Sequence, residues 1–353
     1  MSVPQIPQMT DHASDWMRAV GPQGEVVMSS RIRLARNIAG YPFVNRAATA
    51  QRRELLENCR RRILDANLAE KMLWIDLSDS TKLDRQLLVE RRLISHQHSQ
   101  GGAPRGVALA ADESISIMVN EEDHLRIQVL RPGMQLEEAY RHGNQVDDTL
   151  ESRLDFAYSS KLGYLTACPT NVGTGIRVSV MLHLPGLKLT GEIDKLRRAA
   201  KDMHLAVRGF YGEGTEAIGD LYQVSNQTTL GQSESQILHD FQQVIIPRMI
   251  EYEVQARQAL AEKRPTVLDD RVWRSWGTLA NARLLGSEET LYLLSYLRLG
   301  VCLGRLNSVS LATLHELLLL TQPAHLQKMA GRPLSGPERR EFRAMYIRQR
   351  LGV

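Results

Sequence analysis

The segment Asn120-Glu121-Glu122-Asp123-His124-Leu125-Arg126 brings together the most chemically useful side chains of this 353-residue chain. It places three consecutive carboxylates beside a histidine and an arginine, directly after the apolar run Ile115–Val119, whose pattern predicts a strand. Carboxylates are costly to bury without partners, so these either lie in water, as in an ordinary solvated loop, or face a cation. In the second case they could orient a cationic group and accept a proton from it.

Arginines occur in three further turns that follow predicted strands and contain glycine or serine. These turns are Ser29-Ser30-Arg31-Ile32-Arg33, Gly173-Thr174-Gly175-Ile176-Arg177 and Arg208-Gly209-Phe210-Tyr211-Gly212-Glu213. Glycine lets backbone N–H groups approach an anion, and arginine neutralises it. A surface ion pair is the alternative for any single arginine. Because no GxxxxGK[ST] loop and no GxGxxG turn between strand and helix is present, a nucleoside triphosphate would have to be bound by an arginine cluster.

Arg31 and Arg33 strengthen the phosphate-binding interpretation. Two residues apart on a strand, they point to one face, where their charges repel unless a polyanion lies between them. Cys168 lies between a predicted strand and Pro169, just before the turn Thr170–Thr174. It is either a buried, inert cysteine or a thiolate close to cationic partners.

Composition narrows the class of protein. The formal net charge is +4, with 44 basic and 40 acidic residues and 5% aromatic residues, which disfavours a plain nucleic-acid binder. Arginine supplies 36 of the basic residues, and Gln51-Arg52-Arg53 fits a solvated helix face. No apolar run approaches a membrane span, and the first fifteen residues do not resemble a signal peptide. Three cysteines without a CxxC pair disfavour disulfides and a zinc site, so we expect a reduced, cytoplasmic protein.

Strand and helix patterns alternate up to about residue 258, and only helical patterns follow. Strands are predicted at 26–28, 73–77, 107–110, 115–119, 125–130, from 164 into the turn at 173–175, and at 177–184, 205–208 and 221–225. Helices are predicted at 48–69, 84–94, 136–143, 146–156, 195–203 and 233–260, the last interrupted near Pro247. We therefore expect an N-terminal segment (1–24), a catalytic domain (25–258) and a helical C-terminal domain (265–353).

Three blocks resemble the catalytic blocks of the phosphagen (guanidino) kinases. They are Ser29–Asn37, Asn120–Arg126 and Cys168–Thr174, and their order and spacing match this family across about residues 25–255. The helical N-terminal domain of the arginine and creatine kinases has no counterpart in the first 25 residues, and a helical extension follows the catalytic region. In this respect the chain is similar to the McsB-type bacterial protein-arginine kinases. The resemblance implies an α+β fold, in which an antiparallel sheet is flanked by helices, plus the helical C-terminal domain.

The same resemblance implies roles for individual residues. Glu122 and Glu216 would clamp the substrate guanidinium, Cys168 would contact it, and Glu121 is the alternative to Glu122 as the catalytic carboxylate. ATP would be bound with Mg²⁺ held through its phosphates and not by a protein metal site. The ATP-binding residues would be Ser29, Ser30, Arg31, Ile32, Arg33, Arg92, Arg126, Arg177, Val178, Ser179, Val180, Met181, Arg208, Gly209, Phe210, Tyr211, Gly212 and Glu213.

The resemblance also implies partners. The substrates would be proteins with accessible arginines, phosphorylated for a Clp-type protease system and including a stress-response repressor. A homodimer formed through the C-terminal domain is expected, and neither membrane nor direct nucleic-acid binding. Two alternatives stay open: a kinase of a small guanidino compound such as free arginine, and a non-catalytic adaptor that binds phosphoarginine.

Two positions depart from the family pattern. Arg92 stands where these kinases usually have histidine. The Arg-Asp-x-x-Arg-Ala segment that binds phosphoarginine allosterically appears here as Arg339-Arg340-Glu341-Phe342-Arg343-Ala344, with Arg340 in place of the aspartate. Arg339 and Arg343 keep helical i, i+4 spacing and could still meet a phosphate. A solvated basic helix end is the alternative, and we expect weaker feedback by phosphoarginine.

Overall fold

A computed structural model describes residues 9, 14–18, 21–100, 102–209 and 217–353. Its centre is an eight-stranded antiparallel sheet in the order β2-β3-β4-β5-β1-β8-β10-β9. A two-stranded hairpin, β6 with β7, lies outside this sheet. The strands are β1 Val27–Arg36, β2 Met72–Asp76, β3 Gly106–Ala110, β4 Ile115–Val119, β5 Leu125–Pro132, β6 Tyr158–Ser159, β7 Gly163–Tyr164, β8 Ile176–His183, β9 Leu205–Gly209 and β10 Leu221–Asn226.

Helices surround the sheet and form the whole C-terminal region. Those before residue 264 are α1 Asp15–Arg18, α2 Thr49–Leu64, α3 Lys82–Glu90, α4 His96–Ser99, α5 Leu136–Glu151, α6 Pro185–Leu189, α7 Ile193–Asp202, α8 Glu234–His239 and α9 Ile246–Lys263. The C-terminal helices are α10 Pro265–Asn281, α11 Ser287–Cys302, α12 Leu311–Leu320, α13 Pro323–Met329 and α14 Gly336–Leu351. No helix among the described residues is both long enough and apolar enough to span a membrane.

The two faces of the sheet differ in chemistry because side chains alternate along each strand. One face carries buried aliphatic residues such as Ile32, Val129 and Val178, which belong to the largest hydrophobic core with residues of α2, α5 and α7. The other face carries Arg31 and Arg33 on β1, and three of their four partners on β5 and β8 are polar: Gln128, Ser179 and Arg177. We call this second face the polar face.

Apolar contacts cover the two margins of the polar face. Leu130, Met181 and Leu221 occupy positions in register with it and join a core formed mainly by the C-terminal helices. On the other side, Val107 and Met118 pack with residues of α3. The arginines therefore lie between two apolar contacts, and each contact attaches helices to the sheet.

The structure confirms the predicted α+β class and most of the predicted elements. β4 has the predicted bounds, and β1 extends the predicted short strand through the whole Ser29–Arg36 segment. The helix expected from 233 is interrupted by a π-helical turn at Asp240–Ile245, next to Pro247, which lacks the N–H that a regular α-helix requires.

Two local predictions were wrong. The helices expected at 136–143 and 146–156 are one helix, α5, because Gly143 is buried against β1 and β5 and the helix passes through it. The strand expected from Tyr164 onward is only the two-residue β7, and Pro169–Asn171 forms a 3-10 turn. Proline lacks the N–H that a continuing strand ladder would need.

Candidate active site

Strand pairing brings the predicted arginines onto one surface. Arg33 lies opposite Arg177 on β8 and opposite Gln128 on β5. Arg126 is two residues before Gln128 on β5, so it shares that face. Arg208, on β9, lies opposite Gln223 of β10, which in turn lies opposite Met181. The sheet thus converts four distant sequence segments into one cationic face.

Neutral polar side chains hold Arg31 in position. Its Nε donates to Ser179 Oγ at 3.2 Å, and its Nη2 donates to Gln223 Oε1 at 2.8 Å. Burial, and after it the positive charges of Arg92, Arg126, Arg177 and Arg208, lower the pKa of Arg31 to about 9. Like charges held this close favour binding of an anion among them.

Arg33 lies at the centre of the cluster. Burial lowers its pKa well below the usual value, with further lowering by Arg31, Arg126 and Arg177, while Glu121 opposes the change. Its Nε is buried and has no hydrogen-bond partner among the described residues. A buried guanidinium nitrogen without an acceptor is costly, and a phosphate oxygen would supply the acceptor.

Arg92 reaches this cluster through an unusual backbone conformation. It follows α3 with a φ of 62°, and its carbonyl oxygen accepts a hydrogen bond of 2.8 Å from Gln128 Nε2. Its charge is among those that lower the pKa of Arg31. The arginine that departs from the family pattern is therefore close to the other cations of the polar face.

Glu121 and Glu122 have different environments although they are neighbours. Glu121 is 3% exposed; Arg126 Nη1 lies 2.8 and 2.7 Å from its two oxygens, and Ser95 Oγ donates to it at 2.5 Å. Burial alone would raise the pKa of Glu121, but Arg126 and the donated hydrogen bonds outweigh it, and the pKa is lowered. Glu121 is therefore an ionised carboxylate that fixes Arg126.

Glu122 faces a cavity of about 280 Å³. Its side chain is 36% exposed, and its Oε2 lies 3.6 Å from Arg126 Nη2. The cavity is lined by Val44, Asn45, Arg52, Gln97, Arg105, Glu121, Glu122 and Ala167. Of the two glutamates, Glu122 is thus the one that a substrate in the cavity could reach with little rearrangement.

Asp123 connects the acidic turn, which is residues 120–124 between β4 and β5, to Cys168. Its Oδ1 accepts a hydrogen bond of 2.6 Å from the Ala167 N–H and one of 2.6 Å from Asn37 Nδ2. Burial raises the pKa of Asp123, and these donors limit the rise. Cys168 is partly exposed, and its Sγ lies 3.0 Å from Thr170 Oγ1. Asp123 therefore fixes the backbone one residue before the cysteine.

Asn120 and His124 are positioning residues for which the sequence analysis assigned no role. Asn120 has a φ of 63°, and its Nδ2 donates to the carbonyls of Arg52 at 2.8 Å and Pro104 at 3.0 Å. His124 Nδ1 accepts from the Ile38 N–H at 2.9 Å, so its Nε2 donates to the Pro42 carbonyl, also at 2.9 Å. Burial lowers the pKa of His124, which suits this neutral tautomer. Three of these four partners are 68 to 86 residues away in sequence and Pro104 is 16 residues away, so no local signal identifies them.

Several residues of the predicted ATP site do not present side chains to the polar face. Ile32, Val178 and Val180 pack in the opposite core, and Ser30 Oγ donates to the Gly133 carbonyl at 2.8 Å. They support the polar face from behind, because Ser30 and Ile32 alternate with Arg31 and Arg33 on β1, and Val178 and Val180 are one and three residues from Arg177 on β8. Ser29, Ser179 and Met181 occupy positions on the polar face, and Gly209 ends β9 opposite Tyr222. The predictions for Phe210, Tyr211, Gly212, Glu213 and Glu216 lie outside the described residues.

The C-terminal arginines have structural contacts. Arg343 is 2% exposed and donates to the carbonyls of Thr321 and Leu285, each at 2.8 Å. Arg339 Nη1 donates to the Leu334 carbonyl at 2.6 Å, while Arg340 is exposed and Ala344 is buried. Arg343 therefore holds α14 to neighbouring segments, and its guanidinium is less accessible to a phosphate than helical spacing alone suggested.

Comparison with family models assigns both parts of the chain. Residues 54–256 match the model described as ATP:guanido phosphotransferase, C-terminal catalytic domain. Residues 265–353 match the model described as protein-arginine kinase McsB C-terminal domain.

Curated proteins named protein-arginine kinase are similar over nearly the whole chain. One from Symbiobacterium thermophilum is 49% identical, covering 96% of this chain and 97% of the relative. One from Halothermothrix orenii is 47% identical with the same coverage of both chains. One from Bacillus cereus strain AH187 is 43% identical, covering 100% of this chain and 99% of the relative.

Solved structures support the same assignment. A duplicated taurocyamine kinase from Schistosoma mansoni, with bound transition-state analogue components, has a TM-score of 0.60 and 26% identity. The alignment covers 72% of this chain and 36% of that one. A lombricine kinase has a TM-score of 0.54 and 26% identity, with 67% of each chain covered. Together with the match over residues 54–256 and the 43–49% identity to full-length relatives, these similarities show that the chain belongs to the protein-arginine kinases of the phosphagen kinase family and catalyses ATP-dependent phosphorylation of arginine.

Proposed function

We propose that the polar face binds the phosphates of ATP and that the cavity at Glu122 binds the arginine side chain of a protein substrate. The observation that supports this arrangement best is the position of Arg126. It belongs to the cationic face, forms an ion pair with Glu121 and lies 3.6 Å from Glu122. ATP bound among the arginines and a substrate arginine bound at Glu122 would therefore both lie next to the Arg126 guanidinium.

The donor groups of the polar face fit ATP phosphates. Arg31, Arg33 and Arg177 supply charge, and the buried Nε of Arg33 has an unused donor among the described residues. These groups bind oxygen anions and not metal cations, so the proposal has Mg²⁺ held by the phosphate oxygens. When bound, Mg²⁺ would neutralise charge on the transferring phosphoryl group, and the arginines would do so at its other oxygens.

Glu122 supplies the carboxylate that the acceptor needs. A guanidinium is protonated at neutral pH, so a nitrogen becomes nucleophilic only as a proton leaves. In the proposed step, a bond forms between the arginine nitrogen and the γ-phosphorus while the bond from that phosphorus to the bridging oxygen breaks, which releases ADP. The nitrogen's proton passes to Glu122. Glu216 is proposed as the second clamp of the guanidinium, and Cys168 as a group that contacts it.

The biological setting is proposed from the kinase family. Proteins with accessible arginines would be the substrates, including damaged proteins passed to a Clp-type protease system and a stress-response repressor. The C-terminal helices would form a homodimer, and the reaction would occur in the cytoplasm, where ATP is available. These proposals concern the substrates, assembly and location of the enzyme, and they can be tested independently of the phosphoryl transfer step.

The test is phosphoryl transfer from ATP and Mg²⁺ to an unfolded protein, read out as acid-labile phosphate on arginine. We expect labelled protein arginine, with free arginine a poor competitor. Arg33→Gln should abolish labelling, whereas Arg53→Gln, an exposed neighbour of the site on α2, should preserve it. Labelling of free arginine alone would contradict the protein-substrate proposal, and full activity of Arg33→Gln would contradict the assignment of the polar face to ATP.

A further inference from the structure

The cavity at Glu122 contains two arginines that the proposed reaction does not use, Arg52 and Arg105. Arg52 belongs to the first turns of α2, and Arg105 lies in the segment before β3. We propose that Arg52 and Arg105 bind a carboxylate of the protein substrate next to the target arginine, so that the enzyme prefers arginines with acidic neighbours. This inference rests on the proposed location of the substrate at Glu122.

The two arginines are held in place by the residue that precedes the catalytic carboxylates. Asn120 Nδ2 donates to the carbonyl of Arg52 at 2.8 Å and to that of Pro104, the neighbour of Arg105, at 3.0 Å. The backbones of both cationic residues are thus tied to the turn that carries Glu121 and Glu122. This arrangement fixes two positive groups and one accessible negative group around the same cavity.

Both guanidinium groups donate to backbone carbonyls and not to carboxylates among the described residues. The ion pairs among the described residues include neither Arg52 nor Arg105. Arg52 Nε donates to the Ala47 carbonyl at 3.1 Å, and Arg105 Nη1 donates to the carbonyls of Gln97 at 2.9 Å and Gln100 at 2.8 Å. Carbonyl oxygens orient a guanidinium and leave its net charge in place.

Arg105 also retains a donor for a ligand. Its Nε is buried and has no hydrogen-bond partner among the described residues. Burial lowers the pKa of Arg105, and Arg52 lowers it further although Glu121 opposes the change. A carboxylate between the two guanidinium groups would relieve their repulsion and accept the unused donor.

The arrangement of charges fits a peptide with alternating sign. The target guanidinium would lie at Glu122, and a carboxylate on the adjoining part of the chain would lie at Arg52 and Arg105. Consecutive residues of an extended chain are about 3.5 Å apart, so an aspartate or glutamate one or two positions from the arginine is about 3.5–7 Å from it along the backbone. The α-carboxylate of a C-terminal arginine could bind in the same way. The test below distinguishes it from the side-chain carboxylate of an aspartate or glutamate.

The test compares peptides that differ only beside the arginine, with aspartate, alanine or lysine one or two positions away, and with amidated or free C-termini. For the parent enzyme we expect kcat/KM to be about tenfold higher for aspartate than for alanine, mainly through KM, with the least activity for lysine. If a free C-terminal carboxylate raises kcat/KM and an internal aspartate has no effect, the proposal that Arg52 and Arg105 bind an acidic side chain is overturned.

Variants assign the preference to the two arginines. In Arg52→Gln and Arg105→Gln we expect the aspartate-to-alanine ratio of kcat/KM to fall toward one, and in Arg52→Glu the order should reverse in favour of lysine. Arg53→Gln, which removes an exposed charge from the next position of α2, should keep the tenfold ratio. Circular dichroism of each variant controls for folding, because Arg105 also holds its own loop.

Equal kcat/KM for the three parent peptides would overturn the inference, as would an unchanged ratio in both Arg52 and Arg105 variants of normal fold. Either result would leave transfer to arginine intact. Absence of transfer to every peptide and protein would instead contradict the proposed function, so the two failures are distinguishable.

Discussion

Replacing each of the neighbouring glutamates of the acidic turn by glutamine should have different effects: Glu122→Gln should lower kcat, and Glu121→Gln should lower stability and ATP affinity. Glu122→Gln removes the carboxylate that faces the cavity, and general acid–base groups typically contribute a factor of about 10²–10⁴ to rate. We therefore expect kcat to fall by about that factor. ATP affinity should change by less than about threefold, because Arg126 keeps its contacts of 2.7 and 2.8 Å with Glu121 and would still be available to bind phosphate.

Glu121→Gln should act mainly on stability and on ATP. Breaking a fully buried ion pair costs about 3–5 kcal/mol. Here the Arg126 side chain is 17% exposed and has Glu122 at 3.6 Å as a second partner, so we expect a loss of about 1–3 kcal/mol. At roughly 2 °C per kcal/mol, the unfolding midpoint should fall by about 2–6 °C. Arg126 should turn toward Glu122, which would weaken ATP binding by about tenfold.

The assay measures three quantities for each variant: phosphoryl transfer to protein arginine, ATP affinity by calorimetry and the unfolding midpoint without nucleotide. Glu57→Gln is the matched control, since Glu57 is an exposed carboxylate on α2 with a side chain 73% exposed. The reasoning is refuted if Glu121→Gln abolishes turnover at normal stability and ATP affinity while Glu122→Gln remains active.

Three further predictions follow from buried charges. Arg33→Met should weaken ATP binding at least tenfold yet leave the nucleotide-free unfolding midpoint unchanged or higher, because it removes a cation from among like charges; a large fall in thermal melts would contradict this. Asp147→Asn should lower the free energy of unfolding by about 3–5 kcal/mol in urea titrations, because Arg36 is buried and bonded to that carboxylate at 2.7–3.1 Å; a loss below about 1 kcal/mol would contradict it. Glu121 has a lowered pKa when folded, so its stabilisation is complete above its ordinary pKa of 4.5 and is lost as pH falls through the folded value. As the pH falls below 4.5, Glu121→Gln should therefore lose less stability than the parent enzyme, and an equal loss in both proteins would count against this assignment.

Local pattern predicted the strands better than it predicted which residues of a motif face the site. Ile115–Val119 was recognised with correct bounds because its apolar residues are bounded by polar turns. In Ser29–Arg33, the period of two that places Arg31 and Arg33 on the polar face places Ser30 and Ile32 on the opposite face. That signal was present in the sequence.

Other features depend on contacts that no local pattern encodes. Gln51-Arg52-Arg53 fitted a solvated helix face, but Arg52 is half-buried and lines the cavity because Asn120 binds its carbonyl from 68 residues away. The helical spacing of Arg339 and Arg343 was real, yet Arg343 is buried against the carbonyls of Thr321 and Leu285. Helix periodicity gives the relative direction of two side chains and not what the fold packs against them.

The acidic turn explains how a sheet and two loops can act as one site. Asn120 holds the backbone at Arg52 and Pro104, Glu121 holds Arg126, and Asp123 holds Ala167 beside Cys168. These anchors come from three of the four residues 120–123, so the backbone of one short turn fixes Arg126, the cysteine and the cavity wall relative to Glu122. Productive geometry requires positioning to about 0.5 Å, which independent loops would rarely maintain. The clustering of carboxylates in this turn therefore serves positioning, and in the proposed function Glu122 would be the carboxylate that receives the substrate proton.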